Sequence, residues 1–495
     1  MTTRLSPNGY SLPKSDFTAE ELATLKRELT AVPLVAGGKP SVGGPPQQSF
    51  HVWQESATRI YLPKCFGLAR FGAPAKDTLP TGSALPSSLR FRGEIRPEQA
   101  PAVEAFMTAA ADPLRRGGIV SLPCGGGKTV IALNIVARVA KKTMIIVHKD
   151  FLLRQWHERI SAFLPDARVG LVKAKTVNVR DKDVVIASLQ SLSMKEYADD
   201  DIFAGVGLLI IDEVHRTGTE VFSRALQKAS VSCCLGLSAT VERKDGMTKV
   251  FSWFIGGVVY ARAPATDDRV DVALCTYNHS SPEYGDVPEI SGSGKPNVSR
   301  MINNVTSFPP RTRAMCDAIL EVLHREPRRR VLVLSDRKQH LRDIADRLST
   351  STTVGMYVGG MKAADLEASQ DRTVILATYS FASEGFDVPG LDTLVLASPK
   401  TDIEQSVGRV LRQRAADRAR VPLVLDVVDG FSVFRIQAQR RKAYYKKRGY
   451  RMSRRPLSSS SCDEADRKEE DSASLAATAF SFRDEDDGEK NGDDW

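Results

Sequence analysis

From residue 118 onward the chain alternates short, continuous apolar runs with helical stretches, and this pattern constrains the fold more than any other feature. The runs are GIVSL (118–122), TMIIV (143–147), DVVIA (183–187), GLLII (207–211) and CCLGL (233–237). Strands that are apolar on both faces belong to parallel sheets covered by helices. The alternation breaks over 262–306, which holds Pro264 and SSPEYGDVPEISGSGKPN. It resumes with VLVLS (331–335), TVGMYV (353–358), TVILA (373–377), TLVLA (393–397) and PLVLDVV (422–428). The expected fold class is therefore α/β, with two tandem parallel-sheet domains at 91–261 and 307–450 and a linker or insertion at 262–306. Residues 1–90 are rich in Pro and Gly, and 50–72 reads as short strands with a turn, so a small accessory module is expected there. A length of 495 residues suits about three domains.

Composition narrows the class further. A chain with 42% hydrophobic and 26% charged residues is neither wholly disordered nor collagenous. No apolar run approaches the ~20 residues of a bilayer span, and the first residues lack the apolar segment of a secretory signal. The seven cysteines form no CxxC, which indicates neither a zinc ribbon nor a disulfide framework. A soluble protein of a reducing, intracellular compartment is expected, with no membrane partner.

The net charge of +9 hides an asymmetry. Residues 457–495 carry thirteen acidic and four basic residues, a balance of −9, which leaves +18 on the first 456. With few large apolar residues and strong like charge, 451–495 is expected to be a disordered acidic tail. Just before and into it, 435–455 holds ten basic residues, no acidic one, and Tyr444, Tyr445 and Tyr450. That composition suits a solvated helix face, a phosphate-tracking patch with stacking rings, or a nuclear localisation signal.

Two motifs carry chemistry. Residues 122–129 read Leu-Pro-Cys-Gly-Gly-Gly-Lys-Thr, between an expected strand and an expected helix. A helix N-terminus offers unpaired N–H groups and a positive dipole end, and three glycines let the backbone approach phosphates closely. Lys128 can reach β- and γ-phosphates, and the Thr129 hydroxyl can hold Mg²⁺. The strict P-loop pattern is not met, because its first glycine would fall at Leu122. Further on, Leu-Leu-Ile-Ile-Asp-Glu-Val-His (208–215) places Asp212 at the carboxyl end of a buried strand, where ligands bind in open α/β sheets. Asp212 suits a water-mediated Mg²⁺ contact, and Glu213 suits activation of the attacking water.

With these motifs in order, the chain resembles the superfamily 2 helicases of the DExH type. Arg96-Pro97-Glu98-Gln99 looks like the adenine-reading segment, and His148 to Trp156, with Gln155-Trp156, looks like motif Ia. Ala187-Ser188-Leu189-Gln190 fits motif Ic, Asp212 to His215 is a DEVH motif II, and Ser238-Ala239-Thr240 is motif III. Val331 to Ser335 resembles motif IV, and Ala377-Thr378 with 384–389 resembles motif V. Gln405 to Arg412 has the QxxGRxxR form of motif VI. LPCGGGK, DEVH and 238–246 are similar to XPB-like and phage UvsW-like DNA helicases, although 243–245 reads Arg-Lys-Asp rather than Arg-Glu-Asp. The stretches 50–72 and 426–450 resemble helicases of the nucleocytoplasmic large DNA viruses, of the poxvirus transcript-release type.

The resemblance implies two RecA-like domains and ATP with Mg²⁺ as cofactors. It implies an ATP site of Arg96, Gln99, Pro123, Cys124, Gly125, Gly126, Gly127, Lys128, Thr129, Gly385, Asp387 and Gln405. Lys128, Asp212, Glu213, Arg409 and Arg412 would catalyse, the two arginines as fingers spaced three apart on a helical run 402–413. His215, Ser238, Ala239 and Thr240 would couple nucleotide state to the track. Gln155, Trp156, Ser188, Gln190, Ser335 and Thr378 would touch the nucleic-acid backbone, which carries no base information. The implied protein is a DNA helicase of 3′→5′ polarity in viral transcription termination, transcript release or repair. It would be a monomer when free, would partner DNA and the transcription machinery, and would act in host cytoplasm, nucleus or virion. An RNA helicase and a non-unwinding, ATP-switched transcription-factor subunit are the alternatives.

Overall fold

The computed structural model describes residues 2–32, 49–123, 125–195, 202–214, 220–229, 231–239, 246–263, 269–292, 294–383, 388, 390–410 and 418–457. The chain divides into two compact units. One comprises Met1–Asp268, Ser380–Gly390 and Glu404–Ala419, and the other comprises Arg269–Tyr379, Leu391–Ile403 and Arg420–Trp495.

In the first unit the N-terminal residues form a small five-stranded sheet in the order Gln54–Glu55, Arg59–Leu62, Gly9–Pro13, Arg4–Ser6 and Lys76–Asp77. A capping box starts the helix Ala19–Glu28: the Thr18 hydroxyl accepts from the Glu21 N–H, and the Glu21 carboxylate accepts from the Thr18 N–H. These bonds hold the Glu21 carboxyl below the usual range. The second half of 50–72 is a helix, Lys64–Phe71, where the sequence reading had a strand. Pro63 precedes its first turn, and Phe66 and Leu68 turn inward. Gly67 lets it lie on Tyr10, whose ring carbon would be 2.2 Å from any Cβ there. The buried Lys64 ammonium donates to the Val231 carbonyl at 2.8 Å and the Ser232 carbonyl at 3.2 Å, tying this helix to the following sheet.

That sheet has eight strands, in the order Thr176–Asn178, Val169–Lys173, Val184–Ser188, Thr143–Val147, Leu208–Ile211, Cys233–Ser238, Gly117–Ser121 and Val258–Ala261. All neighbours are parallel except the first pair. The five apolar runs are its fully buried strands. Val169–Lys173 escaped the sequence reading because it alternates buried and half-buried residues in place of a continuous run.

The second unit is built on a parallel sheet of seven strands, ordered Val354–Tyr357, Val374–Thr378, Val331–Ser335, Thr393–Leu396, Leu423–Asp429, Asp271–Tyr277 and Arg451–Pro456. Two of these strands correct the sequence boundaries. Asp271–Tyr277 lies in the stretch read as a linker, and Arg451–Pro456 lies in the stretch read as tail. The first buries Val272, Leu274, Cys275 and Tyr277 and carries the short apolar run Val272–Cys275 inside a stretch otherwise rich in Pro, Gly and Ser. The second is an edge strand on which Arg451 and Arg454 are exposed; Arg451 pairs with Asp271 at 2.7 Å, and the half-buried Arg455 pairs with Glu321. Edge strands tolerate charge because one side of the ladder faces solvent. Residues 458–495, the rest of the expected tail, lie outside the described residues.

Candidate nucleotide site

The phosphate loop leaves Gly117–Ser121 and enters the twelve-residue helix Lys128–Val139. Its geometry depends on glycine at 127, where φ is +80° and the Gln99 Nε2 would lie 2.0 Å from a Cβ. Gln99, 2% exposed, donates from Nε2 to the Gly126 carbonyl at 3.3 Å and accepts the Arg96 N–H at 3.1 Å. The expected adenine-reading segment therefore also braces the loop from beneath. No side chain caps the helix N-terminus, so its first N–H groups and the positive dipole end face the loop. The Leu122 N–H donates to the Ser238 carbonyl at 2.9 Å, which joins the loop to the strand carrying motif III.

The acids approach this loop from the strand Leu208–Ile211. Lys128 Nζ lies 3.6 Å from Glu213 Oε1 and 3.4 Å from the Leu122 carbonyl. Glu213 has φ +52°, a left-handed conformation that costs a non-glycine residue about 1–2 kcal/mol; such strain clusters at functional sites. Asp212 is 9% exposed and both its oxygens are held. Oδ1 accepts the Glu213 N–H at 2.9 Å, and Oδ2 accepts the Trp156 indole N–H at 2.9 Å. Burial, reinforced by the Glu213 charge, pushes the Asp212 carboxyl well above the usual range against the pull of Trp156 and Lys128. A divalent cation beside it would favour the charged form.

This donor set fits a nucleoside triphosphate with Mg²⁺: a cradle that a Cβ would fill, an uncapped helix N-terminus, a lysine followed directly by Thr129, and the buried carboxylate of Asp212. Among the described residues no three or more His, Cys, Asp and Glu side chains gather as a metal cluster. Mg²⁺ held by one or two protein oxygens and the phosphates needs none.

The structure moves three expected nucleic-acid contacts indoors. Trp156 is 2% exposed and turned into the core. The signal was legible, since Leu152, Leu153, Trp156 and Ile160 form one buried stripe on the helix Asp150–Phe163. Ser335 is 0% exposed; its hydroxyl accepts the Arg337 N–H at 3.2 Å and lies 3.0 Å from His340 Nδ1, at the turn into the next helix. Burial pushes the His340 imidazole down to about 3, so it stays neutral. Gln190 is exposed, Gln155 and Thr378 are half-buried, and Ser188 is buried at a helix start. Ser238 is buried at the end of its strand, with Ala239 half-buried beyond it. Cys124, His215, Thr240, Gly385, Asp387 and Arg412 lie outside the described residues. Gln405 and Arg409 fall on the helix Glu404–Val410 with their side chains undescribed.

The basic stretch is also more structural than its composition suggested. In the helix Ser432–Lys447, Arg441 is buried, pairing with Asp426 at 2.8 Å and donating to the Lys400 carbonyl at 2.6 Å. Tyr445 is buried and its hydroxyl donates to Asp426 at 3.0 Å. Tyr450 is buried too, and the three tyrosine rings pack on one another at 5.8–6.3 Å between centroids. Tyr445 and Tyr450 therefore present no face on which a base could stack. Arg435, Arg440, Lys446 and Lys447 remain exposed.

Tandem parallel sheets, with a phosphate loop and an acidic strand end on the first, define a nucleotide-hydrolysing motor of the helicase class. Residues 92–243 match the family described as "Type III restriction enzyme, res subunit", and 313–414 match "Helicase conserved C-terminal domain". A proposed ATP-dependent RNA helicase of Acanthamoeba polyphaga mimivirus is 32% identical over 465 residues, covering 92% of this chain and 88% of that protein. A proposed helicase of Frog virus 3 is 30% identical over 334 residues, covering 66% and 72%. Among solved structures, T4 UvsW is similar at 18% identity and a TM-score of 0.35, covering 89% of this chain and 96% of that one. The chain belongs to the superfamily 2 helicases of the nucleocytoplasmic large DNA virus type, and is an ATP-dependent helicase. Among the described residues no helix is long and apolar enough to cross a membrane.

Proposed function

We propose that the chain is a DNA helicase or duplex translocase that converts ATP hydrolysis into movement along the sugar–phosphate backbone. The observation that carries the hydrolytic half is the meeting of Lys128, Asp212 and Glu213 at the glycine loop. The loop N–H groups and Lys128 would hold the β- and γ-phosphates, and Thr129 and Asp212 would hold Mg²⁺. Bound Mg²⁺ offsets the charge of the transferring phosphoryl group. Glu213 orients the attacking water and takes its proton. A phosphate that draws Lys128 away breaks the Lys128–Glu213 pair. Arg409 and Arg412 stabilise the charge that develops in the transition state, and Gln405, Gly385 and Asp387 complete the ATP site. Ser238, Ala239, Thr240 and His215 pass nucleotide state toward the track, which Gln155, Gln190 and Thr378 contact.

DNA is favoured by the likeness of the phosphate loop, the DEVH box and 238–246 to XPB- and UvsW-like DNA helicases. An RNA track is the second reading, favoured by the description of the mimivirus relative. The resemblance of 50–72 and 426–450 to poxvirus transcript-release helicases supports a place in viral transcription termination, transcript release or repair, with the transcription machinery as partner. That work would lie in the host cytoplasm, nucleus or virion. The test is ATP turnover with single-stranded, duplex and forked DNA and with RNA, alongside strand displacement. DNA is expected to stimulate most, and Lys128→Ala to lose about a hundredfold or more of turnover. Stronger stimulation by RNA would overturn the DNA assignment, and no turnover with any polynucleotide would overturn the motor.

A further inference from the structure

Asp212 is gripped twice by one continuous segment. Its N–H donates to the Ile146 carbonyl at 3.1 Å, on the strand Thr143–Val147. Its Oδ2 accepts from Trp156 at 2.9 Å, on the helix that follows that strand. The indole is fixed in turn by the buried Leu152, Leu153 and Ile160 on its own helix face. An indole N–H can only donate, so this bond requires the carboxylate form or the carbonyl oxygen of Asp212. A donor locked by packing to one oxygen, with the Glu213 N–H on the other, leaves the carboxylate little freedom to rotate.

We infer that Trp156 is a positioning residue for the Mg²⁺ site: it orients Asp212, so that the helix of the expected track-binding motif sets how tightly the metal is held. The inference rests on the nucleotide site proposed above. It replaces a surface role for Trp156 with one inside the lobe. Partners that orient a metal-holding group typically change metal affinity 10–100-fold when removed. Trp156→Phe keeps an aromatic ring and removes the N–H.

The experiment titrates Mg²⁺ against binding of a fluorescent ATP analogue, without turnover, in wild type, Trp156→Phe and a Trp253→Phe control. Trp156→Phe is expected to raise the half-saturating Mg²⁺ about tenfold or more. Nucleotide affinity in EDTA and single-strand DNA affinity without nucleotide should stay at wild-type values, and the control should match wild type throughout. Unchanged Mg²⁺ dependence overturns the inference, as does a loss of DNA affinity with unchanged Mg²⁺ dependence. A readout that needs no variant at 156 covers a folding failure. In wild type labelled at its four tryptophans, one indole N–H resonance should shift when Mg²⁺ is added to the nucleotide complex. Assignment comes from Trp53→Phe, Trp253→Phe and Trp495→Phe; an unmoved Trp156 signal also overturns the inference. If wild type binds no nucleotide at any Mg²⁺ concentration, the proposed nucleotide site itself falls; a wild-type-like Trp156→Phe leaves that site standing.

Discussion

Gly127 is the residue on which the phosphate loop turns, and its neighbourhood explains why no other side chain serves. A methyl group there meets both a left-handed backbone and the amide of Gln99. Gly127→Ala is therefore expected to fold with about 1–2 kcal/mol less stability, read from a thermal melt. Nucleotide affinity should fall at least tenfold by the measure of about 1.4 kcal/mol per decade, read from fluorescent-nucleotide titration. Wild-type affinity in this variant would show that the loop does not need its left-handed turn. The glycines, Lys128 and the acid pair were legible at this scale because their chemistry is local: a tight turn, a dipole end and a strand terminus within a few residues. Trp156 was misread although the apolar stripe of Leu152, Leu153 and Ile160 marks its face as buried. Its acceptor, Asp212, lies fifty-six positions away and is named only by the fold.

At the scale of the element, the helix Ser432–Lys447 shows how a basic run divides its labour. Its buried positions Phe434, Ala438, Arg441 and Tyr445 form one stripe, and the remaining cations point outward. Arg441 neutralises Asp426, which is 0% exposed. Removing one partner of a buried ion pair costs about 3–5 kcal/mol, whereas replacing both by apolar residues can be nearly neutral. Arg441→Leu should thus unfold at markedly lower urea with unchanged DNA affinity per folded molecule, and Arg441→Leu with Asp426→Leu should recover most of the loss. A stable Arg441→Leu variant with weakened DNA binding would return Arg441 to the surface role its composition suggests. The strand Arg451–Pro456 was hidden because an edge strand needs no continuous buried face, so its sequence carries charge and lacks an apolar run. Asp271–Tyr277 keeps the short run Val272–Cys275, but it stands alone in a Pro- and Gly-rich stretch.

For the whole molecule the dominant long-range quantity is charge. The acidic stretch 458–495 holds −9 of a net +9, so a chain ending at Leu457 carries +18. Phosphate binding releases counterions and depends on salt, and self-repulsion between an acidic segment and a polyanion lowers association. Truncation after Leu457 should tighten single-strand DNA binding most at low salt, with the difference closing toward 0.2 M salt as screening shortens to less than about 10 Å. Fluorescence anisotropy across a salt series measures this, and an affinity equal to wild type at every salt would assign the acidic stretch no electrostatic part. Sequence alone determined the two parallel sheets, the phosphate loop and the acid pair, because apolar continuity, glycine and strand-end chemistry act over a few residues. Tertiary structure alone decided that Trp156 holds Asp212, that Ser335 and Tyr445 face inward, and that Arg441 is a buried ion-pair partner. Burial and hydrogen-bond partners are set by elements far apart in the chain, and one residue's chemistry suits either side of that boundary.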